Sequence, residues 1–371
     1  MQIDPQSITL FLCGDVMTGR GIDQVLPHPS EPTIYERYMT SALGYVELAE
    51  RTSGPIPRPA HFSYIWGDIL AELDARSPDC RIVNLETSIT TSEDAFLKGI
   101  NYRMHPCNIP CLLVARIDCC VLANNHILDW GVCGLLETLQ SLKQAGIATS
   151  GAGVEIADAA QPAILDLRNE AKLLVFGLGS PTSGIPHSWA ATEARPGVNL
   201  LPELSKKTAR QIADQIRAQR RPGDLVVASI HWGGNWGYEI PRGQREFARQ
   251  LIDAGSVDVV HGHSSHHPKG IEVYRGRLII YGCGDFLTDY EGISGYEEFR
   301  SQLSLAYFVT LDASSGRLAH LEMDSFRTQR FRLERAGKEE SEWLRRMLNR
   351  EGAEFGTGVD LKMDGSLTLR W

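Results

Sequence analysis

The side chains best suited to chemistry lie in Val259-Val260-His261-Gly262-His263-Ser264-Ser265-His266-His267, where four of the chain's eleven histidines fall together. Neutral imidazole is a common ligand for divalent metals, and several imidazoles are costly to bury without partners. The cluster therefore reads as half of a metal site; an exposed polar loop is the plainer alternative. The apolar run Val257-Asp258-Val259-Val260 leading into it reads as a buried strand. That places the histidines at the strand's C-terminal end, where α/β sheets build their sites.

Other apolar runs end in the same way. Ile8-Thr9-Leu10-Phe11-Leu12-Cys13 delivers Gly14-Asp15, and Cys80-Arg81-Ile82-Val83 delivers Asn84-Leu85-Glu86, in which Asn84 and Glu86 share strand parity. Cys119-Cys120-Val121-Leu122-Ala123 leads to Asn124-Asn125-His126 and on to Asp129, and residues 225–230 lead to His231. Taken singly, each has an ordinary explanation: Asp15 as a helix N-cap, Asn125 and Asp129 as turn residues, Glu86 as a strand-end carboxylate. Taken together, Asp15, Glu86, Asn125, His126, His231, His263 and His266 mix carboxylate, amide oxygen and imidazole. Such a set suits two divalent ions, with Mn, Zn, Fe, Mg or Ca as candidates. His126, Asp129 and His267 are the candidates for acid–base work.

Beside His231 stand Trp232, Asn235, Trp236 and Tyr238, either a wall for an organic substrate or an aromatic corner of the core. Arg103 has the guanidinium geometry for an anionic group, or serves as a structural ion pair. Asp285, after the strand at 277–281, completes the candidates for substrate contact.

The elements that must position these groups alternate along the chain. Amphipathic helices are expected at 34–49, 64–76, 108–116, 134–146, 204–219, 244–254 and 339–350, and antiparallel strands at 303–311 and 317–330. Residues 25–62, 91–106 and 180–202 read as loop insertions. With 371 residues, no repeat and no clean linker, one α/β domain is expected, its core at about 8–335 and a C-terminal helix and strand at 336–371. A net charge of −9 without a basic stripe argues against nucleic acid as partner. No signal peptide and no membrane-length apolar run is visible, so a cytoplasmic protein without membrane contact is expected. The eight cysteines read as reduced, mostly buried small hydrophobes, with a zinc on Cys107 and Cys111 the less favoured reading. Oligomeric state is not legible.

In order, Gly14-Asp15, Asn84-Leu85-Glu86, Ala123-Asn124-Asn125-His126, Ile230-His231-Trp232-Gly233 and His263-Ser264-Ser265-His266 resemble the motif set of the CapA-type proteins. These are associated with poly-γ-glutamate capsule synthesis, within the calcineurin-like metallophosphoesterase superfamily. The resemblance implies a four-layer αββα sandwich with loop insertions and a binuclear metal centre at the strand ends. It implies Asp15 on one metal, Glu86 as bridging carboxylate, Asn125, His231, His263 and His266 completing the two sites, and His126 as general acid. This chain departs from the superfamily in having Asp15-Val16-Met17 where Asp-x-His is usual. It also has one extra residue between the last histidines, so His267 competes with His266.

Three functions follow as expectations. Hydrolysis of a phosphoester or related anionic substrate comes first. Inversion of a Cα centre at the C-terminal residue of a peptide comes second. A non-catalytic accessory role in polyglutamate synthesis is third. The first two take a small molecule or peptide bearing an anionic group.

Overall fold

The computed structural model describes residues 7–168 and 171–371. The polar residues 1–6, on which the absence of a leader was read, lie outside them.

Ten strands form the first sheet. Its path runs Gly358–Leu361, Leu367–Arg370, Leu318–Gln329, Leu303–Asp312, Ser7–Val16, Cys80–Leu85, Cys119–Val121 and Ala148–Ser150. Asp285–Leu287 pairs in parallel with Ser7–Val16, and Arg332–Arg335 pairs with Leu318–Gln329. Six strands form the second sheet, in the order Ile271–Tyr274, Arg277–Ile280, Val259–His263, Leu225–His231, Lys172–Gly179 and Ala163–Asp166.

The period of two along each strand decides the layers. Leu10, Leu12, Ile82 and Val121 of the first sheet share one core with Leu173, Val175, Val227 and Val259 of the second. Their alternates Phe11, Cys13, Val83 and Leu85 face helices Leu43–Ser53, Ile69–Arg76 and Gly131–Gln144. On the far side, Leu174, Val226 and Val260 meet helices Lys206–Gln219 and Arg242–Asp253. The layers are thus helix, sheet, sheet, helix. Strands buried on both faces need continuous apolar runs, which is why they were legible.

Several boundaries differ from expectation. The helix expected at 34–49 forms at Leu43–Ser53, because Pro32 and the bridge between Thr33 and Ser41 hold the preceding stretch in a loop. The helix expected at 64–76 splits into a 3-10 turn, Tyr64–Trp66, and Ile69–Arg76. Gly67 causes the break: its φ is 51°, and a Cβ there would lie 2.0 Å from the Leu333 carbonyl oxygen. The stretch 108–116 likewise forms a 3-10 turn, Pro106–Asn108, followed by Pro110–Val114.

All eight cysteines are free. Cys111 is buried with its thiol 3.7 Å from Met104 Sδ, whereas Cys107 is exposed, so the two are not disposed as a zinc pair. Among the described residues no helix is long and apolar enough to cross a membrane.

Candidate metal centre

Three buried carboxylates meet at the tips of the first sheet. Asp15 lies near the end of Ser7–Val16 and is in register with Asp285 on the neighbouring parallel strand. This approach requires glycine at position 14, where a Cβ would fall 1.5 Å from the Gly284 carbonyl oxygen. Asn84 Nδ2 donates to Asp15 Oδ1 at 2.7 Å, and Asn124 Nδ2 donates to Asn84 Oδ1 at 3.1 Å. This amide relay fixes one oxygen of Asp15. The Ser264 backbone N–H donates to the other at 3.1 Å. Ser264 has φ of 107°, a strained value for a residue with a Cβ.

Glu86 follows Cys80–Leu85 and places Oε1 3.7 Å from His126 Nε2 and 3.8 Å from His231 Nε2. Its Oε2 is buried with no hydrogen-bond partner, as is Asp285 Oδ2. Among the described residues, no Lys or Arg is paired with Asp15, Glu86 or Asp285.

The second sheet supplies nitrogen. His231 and His263 are register partners on adjacent parallel strands, so their rings lie side by side with Nδ1 to Nδ1 at 2.8 Å. His231 Nε2 is 2.9 Å from Asn125 Oδ1. His263 Nε2 is 2.9 Å from Ser229 Oγ, which also lies 3.0 Å from His261 Nδ1. His261 Nε2 donates to the Cys13 carbonyl oxygen at 2.7 Å, tying the two sheets together. Donor atoms of Asp15, His231 and His263 all lie within 4.8 Å of one another.

Burial pushes the Asp15 carboxyl up to about 7, with the nearby Asp285 charge adding to the effect. Burial raises Glu86 well above the ordinary range, reinforced by Asp15, and lowers His231 and His263 well below theirs. Crowded carboxylates with orphaned oxygens, facing neutral imidazoles, are the donor set a divalent cation would satisfy.

A second assembly borders the cluster. His126 Nδ1 lies 2.6 Å from Asp129 Oδ2, which also accepts from the Tyr102 backbone N–H at 2.7 Å. Lys98 Nζ reaches Asp129 Oδ1 at 2.7 Å and lies 3.2 Å from His126 Nδ1. Burial holds His126 down at about 4 against the pull of Asp129. The ring is then neutral, its Nδ1 directed to Asp129 and its Nε2 toward Glu86. Lys98 carried no signal in the sequence, since it sits in the loop 91–101 without any pattern around it.

The structure separates the two last histidines. His266 Nδ1 lies 3.0 Å from Asp285 Oδ1. Burial opposes its charge, yet Asp285 lifts it above the ordinary imidazole value. His267, expected as an acid–base candidate, instead lies in an aromatic stack. Its ring is 4.5 Å from Phe299 and 4.6 Å from Tyr238, and its Nδ1 is 3.1 Å from the Pro268 carbonyl oxygen.

The expected substrate contacts divide similarly. Trp232 is a core residue: its Nε1 donates to the Tyr281 carbonyl oxygen at 2.9 Å and its ring packs on Tyr281 and Phe247. One position past His231, it points to the helix side of the sheet. Arg103 is a structural clamp, donating to the carbonyl oxygens of Ser92 at 2.8 Å and Glu31 at 3.0 Å with its guanidinium 3.9 Å over the Trp130 ring. Tyr238 packs against His267 with the Arg350 guanidinium 4.6 Å over its ring. Asn235 contributes its backbone oxygen, which accepts from the His266 N–H at 2.9 Å. Asp285 belongs to the carboxylate cluster. Trp236 alone of the aromatic group lines a cavity of about 240 Å3 beside the cluster, together with His266, Tyr102 and Tyr290.

Sequence comparison matches residues 9–290 to the family described as "Bacterial capsule synthesis protein PGA_cap". A relative in Mycobacterium tuberculosis, named a probable polyglutamine synthesis accessory protein, is 47% identical over 99% of this chain and 97% of its own. The PGA biosynthesis protein CapA of Bacillus subtilis is 32% identical over 74% of this chain and 62% of its own length. Among solved structures, a phosphatase from Mycoplasma pneumoniae is a distant likeness, with TM-score 0.44 and 12% identity over 86% of this chain and 93% of that one.

Proposed function

This chain belongs to the PGA_cap family of bacterial capsule synthesis proteins, and on that footing we propose that it is a metal-dependent hydrolase of a phosphoester or related anionic substrate. The observation that carries the reading is the convergence of Asp15, His231 and His263, whose donor atoms lie within 4.8 Å of one another, together with the buried, partnerless oxygens of Glu86 and Asp285. Asp15, Glu86, Asn125, His231, His263 and His266 are the residues that would hold two divalent ions. Bound there, such ions acidify water and offset charge on a transferring group.

The chain's own groups do the rest. Asn84 and Asn124 hold Asp15 in one orientation. Asp129, fixed by the Tyr102 N–H and Lys98, orients His126 and stabilises its charged form. His126 Nε2 faces the cluster; neutral at rest, it takes the proton released by the attacking water, with Asp129 offsetting the imidazolium charge, and passes it to the leaving oxygen. Tyr102, edge-on to His126 at 4.2 Å, keeps water from one side of that ring.

A second reading, inversion at a carbon next to a carbonyl, is supported by a second imidazole–carboxylate pair, His266 with Asp285. Two proton carriers are what such a reaction needs. The name of the M. tuberculosis relative supports a third, accessory role, which requires partner binding rather than turnover.

The test is metal content per chain of gently purified protein beside a His263→Ala variant, with release of p-nitrophenol from bis(p-nitrophenyl) phosphate. Close to two ions, fewer in the variant, with metal-dependent release, is the expected result. Metal without release, but with deuterium uptake at Cα of a peptide, would move the reading to inversion. No metal after refilling with Mn or Zn would sink both.

A further inference from the structure

The cavity beside the cluster has a composition of its own. Tyr38, Tyr102, Trp236, Tyr290 and Tyr296 line it. Ile100 and Ile293 extend the apolar wall to the mouth, where they are 40% and 46% exposed. The rings of Trp236 and Tyr296 stack face to face at 3.9 Å and 5°, joining two separate loops into one aromatic wall. The cavity adjoins the cluster through two residues. His266 reaches Asp285, and Tyr102 packs on His126 and shares a 2.7 Å hydrogen bond with Tyr290.

Its charges are already spent. Arg20 is the one Lys or Arg among the described lining residues. Its Nε donates to Asp289 Oδ2 at 3.1 Å, and its Nη1 donates to Glu36 Oε1 at 2.8 Å and to Tyr45 Oη at 3.0 Å. The rings of Tyr45 and Tyr102 lie 3.9 and 4.6 Å from the guanidinium carbon. Glu297 adds a further negative charge to the lining. A second anionic group placed here would meet more carboxylate than free cation, at a dielectric below that of water.

We infer that the substrate of this centre carries a flat, uncharged apolar group directly beside its reacting anionic group, and that a chain of repeated anionic groups does not fit the cavity. The inference rests on the proposed metal centre, which takes the anionic end. Such a wall recognises an aromatic ring, with Ser294, Ser301 and Gln302 as the neutral polar groups of the lining.

Non-hydrolysable phosphonates separate this from the reaction itself. Binding of phenylphosphonate, methylphosphonate and 4-carboxyphenylphosphonate to the metal-loaded full chain is measured by calorimetry. Phenylphosphonate should bind about tenfold tighter than methylphosphonate. The added carboxylate should remove that advantage, and the phenyl-to-methyl ratio should fall toward one in Trp236→Ala and in Tyr296→Ala. Equal affinities for the first two, tightest binding of the carboxylated probe, or no binding of any would overturn the inference. Turnover of bis(p-nitrophenyl) phosphate is read separately. Turnover without phenyl preference sinks the inference alone, and phenyl preference without turnover sinks hydrolysis alone.

Discussion

Two groups of buried carboxylates in this protein are built from the same residue types and treated in opposite ways. Near the outer strands of the first sheet, Asp324 is bidentate to Arg76, at 3.0 Å for each contact, and also accepts from Arg335 at 3.2 Å. Glu322 beside it is paired with Arg76 and Lys362. At the strand tips, Asp15, Glu86 and Asp285 crowd one another with no Lys or Arg paired to them among the described residues, and two of their oxygens have no partner. The first group is neutralised within the chain; the second, among the described residues, is not. Burying like charges together is unfavourable in the folded chain alone, so the second group lowers the stability of the metal-free chain.

The contrast can be broken at five points. Metal removal should have the largest effect. If ions complete the second group, chelation lowers the unfolding free energy by about 4 kcal/mol where free metal had stood at ~1,000 times its Kd. Equal melting temperatures with and without chelator would erase the distinction.

Next comes Asp324→Asn, which leaves Arg76 and Arg335 without their shared carboxylate and should cost about 3 kcal/mol in denaturant unfolding. Metal content should stay unchanged.

Glu86→Gln should act with the opposite sign on the metal-free protein. Removing a carboxyl whose ionisation burial and Asp15 oppose should stabilise it by roughly 1–2 kcal/mol, while metal content falls. Destabilisation of the metal-free form would show that Glu86 is a structural group like Asp324.

Lys98→Met removes the cation that orients Asp129. It should lower kcat about tenfold with little change in KM, and Lys98→Arg should restore part of the loss. A change confined to KM would place Lys98 in substrate binding instead.

The smallest effect is on pH. His320, then Lys362 and Arg76, hold the Glu322 carboxyl below the usual carboxylate range. Its folded pKa is thus below its unfolded one. Its stabilisation is full above about pH 4.3 and is lost as pH falls through the depressed folded value. Glu322→Gln should flatten the acid limb of stability by about 1 kcal/mol, seen in urea midpoints measured from pH 6 downward. An unaltered limb would mean that the pairing adds nothing.

The placement of the candidate residues was legible where they end strands. Asp15, Glu86, His231 and His263 each terminate a continuous apolar run, and a strand buried on both faces leaves little ambiguity about where it ends. The layers followed from the same runs. Loops were less legible. His266 and His267 differ by one position, and no local pattern says which turns toward Asp285 and which into the stack with Phe299. The helix break at Gly67 was set by a contact far along the chain, with Leu333, whereas the start at Leu43 was set by the local loop of residues 32–42.

By itself, then, the sequence determined which strand ends carry carboxylate, amide and imidazole side chains, because apolar periodicity and residue type are local properties. Only the tertiary structure decided that Arg103 clamps two loops, that Trp232 belongs to the core, and that Lys98 and Arg20 stand at the site. Those assignments depend on which loops pack together across 11 to 269 positions of chain, and partners brought together only by folding leave no mark on the residues nearby.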